Sequence, residues 1–101
     1  MLMLVKGGCV YIITNKNHSV LYTGSNSDLI TRIWQHQNKY YPYSFSARYN
    51  CSKLVFYKFF PSIEQAIAEE YRIKGGNRKA KIDMIEDFNP QWDDLYDSLS
   101  Y

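Results

Sequence analysis

Cysteine is scarce in this chain: Cys9 and Cys51 are the only two in 101 residues. Two are too few for a disulfide framework, and they form no Cys-x-x-Cys pair, which excludes a zinc knuckle and a thioredoxin-like redox motif. Both are read as free thiols. No apolar run is long enough to span a membrane. The apolar start, Met1-Leu2-Met3-Leu4-Val5-Lys6, is too short for a signal peptide and lacks a leading basic region. The expectation is therefore a cytoplasmic protein with no membrane contact. Internal repeats, low-complexity runs and linkers are also lacking, and 101 residues accommodate one hydrophobic core. The chain is read as a single domain, 1–101, with its core at about 8–88 and an acidic C-terminal segment at 89–101.

Bases are missing from the last part of the chain. Residues 1–81 carry all twelve Lys and Arg against four acids, a balance of +8, while residues 82–101 carry six acids and no base. A body this basic suits a polyanionic partner, because Lys and Arg contacts to phosphate drive non-specific binding. The plainer alternative is a solvated surface offset by an acidic tail.

What is abundant is β-branched and aromatic sequence. Val10–Thr14 and Ser19–Thr23 read as strands, separated by Asn15-Lys16-Asn17-His18, and the pattern predicts a hairpin with a four-residue loop. That register pairs Thr14 with Ser19 and sets Tyr11 directly opposite Tyr22 on one face. Asn26 or Ser27 is expected to cap a helix from Asp28 to about Asn38, with Asp28 in its first turn. Tyr40-Tyr41-Pro42-Tyr43-Ser44 breaks it into an irregular aromatic loop. Lys53–Phe60 reads as the third strand. Ser62 is expected to cap a second helix, Ile63–Lys74, closed by Gly75-Gly76. A third helix fits Arg78–Asp87, and Trp92–Tyr96 a short terminal piece. The order β-β-α-β-α-α predicts an α+β fold, a three-stranded antiparallel sheet flanked by helices.

Glu70 is the residue that points most sharply to chemistry. Ile63, Ala66, Ile67 and Ile73 recur at helical spacing, and at about 100° per residue Glu70 falls within their stripe. A carboxylate there is costly unless paired, hydrogen-bonded or bound to a metal. It either lines a polar cleft or is tied to Arg32 or Lys74. A single carboxylate suits a hard cation such as Mg²⁺, which keeps several waters and borrows phosphate oxygens. On the first helix, Leu29, Ile30, Ile33 and Trp34 form the expected buried stripe, and Arg32 and His36, four apart, share its margin. An arginine there suits charge building on a phosphoryl group, and a histidine can donate to phosphate or move a proton near neutral pH. Otherwise they are a surface Arg and a partly buried His bonded to a neighbour.

Tyrosine fills ten positions, so a single one is weak evidence. Tyr40, Tyr41, Tyr43 and Phe45 could stack on the bases of a single strand, although packing is the ordinary role of such residues. Arg72, Lys74, Arg78, Lys79 and Lys81 form the densest basic cluster, either a solvated face or a phosphate-tracking patch. Asn77 is readable as a helix cap, and Cys51 as a small buried hydrophobe.

In combination, Cys9-Val10-Tyr11, Tyr22-Thr23-Gly24, the Arg-x-x-x-His spacing of Arg32 and His36, Glu70 within Ala66–Lys74, and Asn77 are similar to the GIY-YIG nuclease family, in particular its small stand-alone bacterial members. The match runs from about Cys9 to Lys81. Cys9, Val10 and Thr23 stand where the family's name has Gly, Ile and Ile; Asn26 replaces a common Thr or Ser, and Gly75-Gly76 a stretch that is often basic and bulky. The resemblance implies hydrolysis of phosphodiester bonds in DNA, assisted by one divalent cation, Mg²⁺ or Mn²⁺, held by Glu70. It further implies that Tyr11 helps activate the attacking water, Arg32 stabilises the transition state, Tyr22 and His36 position water and phosphate, and Asn77 supports the site structurally. Two rival readings remain at this level. One is a nucleic-acid-binding or partner-docking module of the same fold without turnover; the other is an interaction domain that docks a basic protein partner through Asp93, Asp94 and Asp97 with Trp92 and Tyr96.

Overall fold

A computed structural model describes residues 7–99; the Met1–Lys6 segment discussed above lies outside them. The elements run β1 (Gly8–Thr14), β2 (Leu21–Asn26), α1 (Leu29–Gln37), α2 (Phe45–Arg48), β3 (Lys53–Phe60), α3 (Ile63–Lys74), α4 (Arg78–Phe88) and a closing 3-10 turn, Tyr96–Ser98. The sheet is antiparallel with strand order β2-β1-β3, and the fold is α+β. β3, α3 and the Ser62 cap stand where the sequence sets them.

The hairpin register differs from expectation. Tyr11 pairs with Gly24, and Tyr22 lies opposite Ile13. The loop is six residues long because asparagine side chains claim the backbone donors that would have extended the ladder. Asn15 Oδ1 accepts from the Ser19 and Val20 N–H groups at 2.9 and 3.1 Å, and His18 turns through φ 61°. A slip of two residues preserves face, so both tyrosines remain on the same side of the sheet.

The sheet has two covered faces. On the front, Cys9, Tyr11 and Ile13 pack against Leu29 and Ile33 of α1 and against Cys51 and Leu54. On the back, Val10 and Ile12 pack against Ile73 of α3, Ile85 of α4, Val55 and Phe56. A Cβ on Gly8 would stand 2.8 Å from Ile63 Cα, so only glycine lets α3 begin this close to β1. Val55 is the extra residue where the β1–β3 register shifts, Ile12 pairing with Phe56 and Ile13 with Leu54.

Several boundaries move. Asp28 is itself the N-cap of α1, accepting from Thr31 N–H at 3.2 Å. The aromatic loop contains an additional helix, α2, capped by Ser44. The buried stripe of α1 is Leu29, Ile33 and His36; Trp34, one residue past Ile33, turns away and is 47% exposed. On α3, Ala66 and Ile73 are buried while Ile67 is exposed. The terminal helical piece is Tyr96–Ser98 instead of Trp92–Tyr96. The acidic segment is stitched to the edge of β3: Leu95 N–H bonds Leu54 O at 2.8 Å, Asp94 Oδ1 accepts from Leu54 N–H at 3.2 Å, and Asn89 Nδ2 donates to Val55 O at 3.2 Å. Trp92 is a core residue stacked on His18 at 4.6 Å.

Candidate active site at the edge of the sheet

β1 is the central strand, so Tyr11 starts from the most enclosed position in the fold and is 1% exposed. Its ring lies across Gly24 on the neighbouring edge strand. A Cβ on Gly24 would sit 2.5 Å from Tyr11 Oη and 2.6 Å from Cζ, a clash that any other residue would cause. The absent side chain is what lets the tyrosine pass over β2. The Tyr11 hydroxyl then meets His36 Nε2 at 2.9 Å, and His36 Nδ1 lies 2.8 Å from Ser46 Oγ. Ser46 is buried on α2 and stands 3.3 Å from Ser44 Oγ. This is a chain of exchangeable protons, Tyr11–His36–Ser46–Ser44, running from the core of the sheet towards α2.

Tyr22 closes the front cluster. Its ring centroid lies 6.5 Å from that of Tyr11 and 5.5 Å from that of His36. Arg32 Nη1 donates to Gln35 Oε1 at 3.1 Å, and the guanidinium lies over the Tyr41 ring, 5.5 Å from its centroid. The electrostatics follow from burial and this one cation. Burial lowers the His36 pKa to about 4, and the Arg32 charge pushes the same way, so the imidazole is neutral near pH 7. Burial raises the Tyr11 pKa, and Arg32 opposes that rise. The resting phenol is therefore protonated.

Glu70 approaches from the other side. Along β2, Tyr22 points to the front and Ser25, three residues on, to the back. The Glu70 carboxylate, 14% exposed, accepts from Ser25 Oγ and pairs with Lys74 Nζ at 2.5 Å. The carboxylate bond first, and the nearby Tyr22 hydroxyl among lesser causes, raise the Lys74 pKa. Tyr22 and Ser25, which face opposite sides, are both carried by β2, an edge strand of the sheet.

Four of the expected residues, Tyr11, Tyr22, Arg32 and His36, form one cluster, while Glu70 is held on the opposite face of the sheet by Ser25 and Lys74. Asn77 stands apart as the N-cap of α4, its Oδ1 accepting from Ala80 N–H at 2.8 Å. The basic cluster is internally engaged. Arg72 pairs with Glu69 at 2.5 Å and Lys79 with Asp83 at 2.9 Å, Arg78 donates to His18 O at 2.8 Å, and Lys81 to Gly76 O at 2.6 Å. Ser25, Gln35, Ser44 and Ser46 were not singled out by sequence reasoning. A serine ten residues beyond a histidine carries no signature; only the helical turn of α2 brings Ser46 to the ring.

Among the described residues no three His, Cys, Asp or Glu side chains gather to hold a metal. What is present is one carboxylate beside one hydroxyl. That donor set does not suit zinc, and it fits a hard cation that retains most of its water, provided Lys74 yields its place on Glu70.

Comparison with known proteins places the chain in a family. A family model described as the GIY-YIG catalytic domain matches residues 7–83. A UPF0213 protein of Clostridium perfringens (strain 13 / Type A) is 36% identical over 80 residues, covering 75% of this chain and 80% of that protein. A UPF0213 protein of Staphylococcus haemolyticus (strain JCSC1435) is 37% identical over 82 residues, covering 77% of this chain and 93% of the other. The solution NMR structure of a UPF0213 protein from Bacillus halodurans superposes with a TM-score of 0.55 at 27% identity, covering 87% of this chain and 92% of that one. The family model spans most of the chain, and the two curated relatives are more than a third identical to it over the aligned residues; on that ground the chain belongs to the GIY-YIG family, a nuclease superfamily.

Proposed function

We propose that this protein is an endonuclease that hydrolyses phosphodiester bonds in DNA with the help of one divalent cation, Mg²⁺ or Mn²⁺. The observation that carries the reading is the 2.9 Å contact between the Tyr11 hydroxyl and the neutral His36 ring, beneath the Arg32 charge. A buried phenol is too weak an acid to rest as a phenolate. It can nevertheless relay a proton: as Tyr11 Oη accepts one from an attacking water, it passes its own to His36 Nε2. That step requires His36 to hold its resting proton on Nδ1, donated to Ser46. Arg32 offers forked donors to the charge that grows on the phosphoryl oxygens. Tyr22 packs against Tyr11 and His36 and fixes their orientation. Glu70 would hold the cation, which when bound supplies charge neutralisation at a phosphate oxygen and the leaving group. Asn77 would support the site by anchoring α4 behind Glu70, and the α3–α4 cations would meet flanking phosphates after exchanging their present partners.

A second reading, a binding module without turnover, draws on one observation: Lys74 already neutralises Glu70. Incubation with plasmid, single-stranded and branched DNA, in Mg²⁺, Mn²⁺ or chelator and beside Glu70→Ala, separates the two. Cleavage that needs metal and Glu70 supports the nuclease. Binding with no cleavage of any substrate supports the second reading, and cleavage indifferent to Glu70→Ala removes the metal assignment.

A further inference from the structure

Residues 29–63 contain no Asp or Glu, yet carry Arg32, Lys39, Arg48, Lys53 and Lys58. Within this acid-free stretch the loop and α2 display their aromatic rings outward. Tyr43 is 93% exposed, Tyr40 58%, Tyr41 52% and Tyr49 43%. Tyr40, Tyr41 and Tyr43 each keep more than half of their surface in water, and clustered exposed aromatics of this kind mark an interaction site.

The rings also form two connected tracks that begin at the catalytic cluster. On one, Tyr22 stacks on Phe45 at 6.1 Å, Phe45 contacts Tyr49 at 4.7 Å, and Arg48 lies over Tyr49 at 5.9 Å. On the other, Arg32 covers Tyr41, Tyr41 meets Tyr40 edge-on at 5.0 Å, and Tyr40 contacts Trp34 at 6.3 Å. Lys39, next in sequence to Tyr40, donates through Nζ to Asn50 Oδ1 at 2.6 Å.

We propose that the 39–49 segment is the docking surface for an unpaired DNA strand, its bases stacking on the tyrosines and its phosphates meeting Lys39 and Arg48. The proposal rests on the nuclease reading for the strand's destination, since both tracks end at Tyr22 and Arg32. Charge complementarity selects nucleic acid: a segment that contributes cations and no carboxylates of its own suits a polyanion. The rings select unpaired bases. In a duplex the π-faces are already stacked on each other, whereas a single strand leaves them free for aromatic side chains.

The test is fluorescence anisotropy of the full chain in chelator, with a labelled mixed-sequence oligonucleotide offered as a single strand and annealed to its complement. The single strand is expected to bind at least about tenfold more tightly than the duplex. Tyr43→Ala and Tyr40→Ala are each expected to weaken it by about tenfold, as loss of one stacked base requires. Tyr43→Phe is expected to retain affinity and Tyr43→Leu to lose it, which separates stacking from general hydrophobicity. At 93% exposure Tyr43 can be replaced without unfolding the chain, and an unchanged melting temperature verifies this. Equal or tighter duplex binding, or indifference to both alanine variants, overturns the docking surface and leaves the nuclease reading standing. Strand binding as expected, with no metal-dependent cleavage of any DNA, overturns the nuclease reading alone.

Discussion

Gly24 lies directly across the β1–β2 ladder from Tyr11, and the tyrosine ring occupies the space that a Gly24 side chain would fill. Gly24→Ala is expected to displace the Tyr11 hydroxyl from His36 and to cost about 1–3 kcal/mol of stability, the range for overpacking a close-packed site. Urea denaturation measures the stability, and a cleavage assay the displacement. Tyr11→Phe is not expected to restore stability in the Gly24→Ala background, because the ring carbon Cζ, which phenylalanine keeps, would itself stand 2.6 Å from the alanine methyl.

His36 makes stability depend on pH with a definite sign. Its folded pKa of about 4 lies below the ordinary 6.5, so between those values the unfolded chain binds a proton that the folded chain refuses. The stabilisation from neutral burial is complete above about pH 6.5 and is lost as pH falls towards 4, by at most about 3 kcal/mol. Comparing urea midpoints of the wild type with those of His36→Gln across this interval isolates the contribution. The wild type is expected to lose more stability on acidification than the variant, and parallel curves would contradict the burial of a neutral imidazole.

Lys74 occupies the carboxylate that a cation needs. Lys74→Met removes the competing ammonium while keeping the stem, so Mn²⁺ is expected to bind more tightly, by about two- to fivefold for a partly exposed pair. Calorimetric titration of Mn²⁺ into both proteins checks it. Weaker binding to the variant would mean that Lys74 supports the site instead of competing for it.

Much of this site was legible because its members are costly where they stand. Glu70 on an apolar stripe demanded a partner, and the structure supplies two, Ser25 and Lys74. Arg32 and His36 were placed together by helical spacing alone. The hairpin register escaped, since strand propensity cannot reveal that Asn15 captures the Ser19 and Val20 amides. The helix at Phe45–Arg48 escaped because four residues give no periodicity, and with it went Ser46, the partner of His36. Two departures from the family pattern, Cys9 and Asn26, prove to be one contact: they are cross-strand partners, with Cys9 Sγ 3.3 Å from Asn26 Oδ1. Burial pushes that thiol's pKa up to about 11, so Cys9 is a packed, protonated side chain and not a nucleophile.

The proton relay is tested most directly by a single-turnover cleavage assay on labelled single-stranded DNA with Mn²⁺, comparing the wild type with Tyr11→Phe and Glu70→Ala. The Phe variant keeps the buried ring and deletes only the hydroxyl that contacts His36. Cleavage is expected from the wild type and none in chelator. Each variant is expected to lose about 10²-fold or more in rate, the scale of a lost proton-transfer group. Undiminished cleavage by Tyr11→Phe would contradict the relay through Tyr11 and His36 on which the proposed chemistry depends.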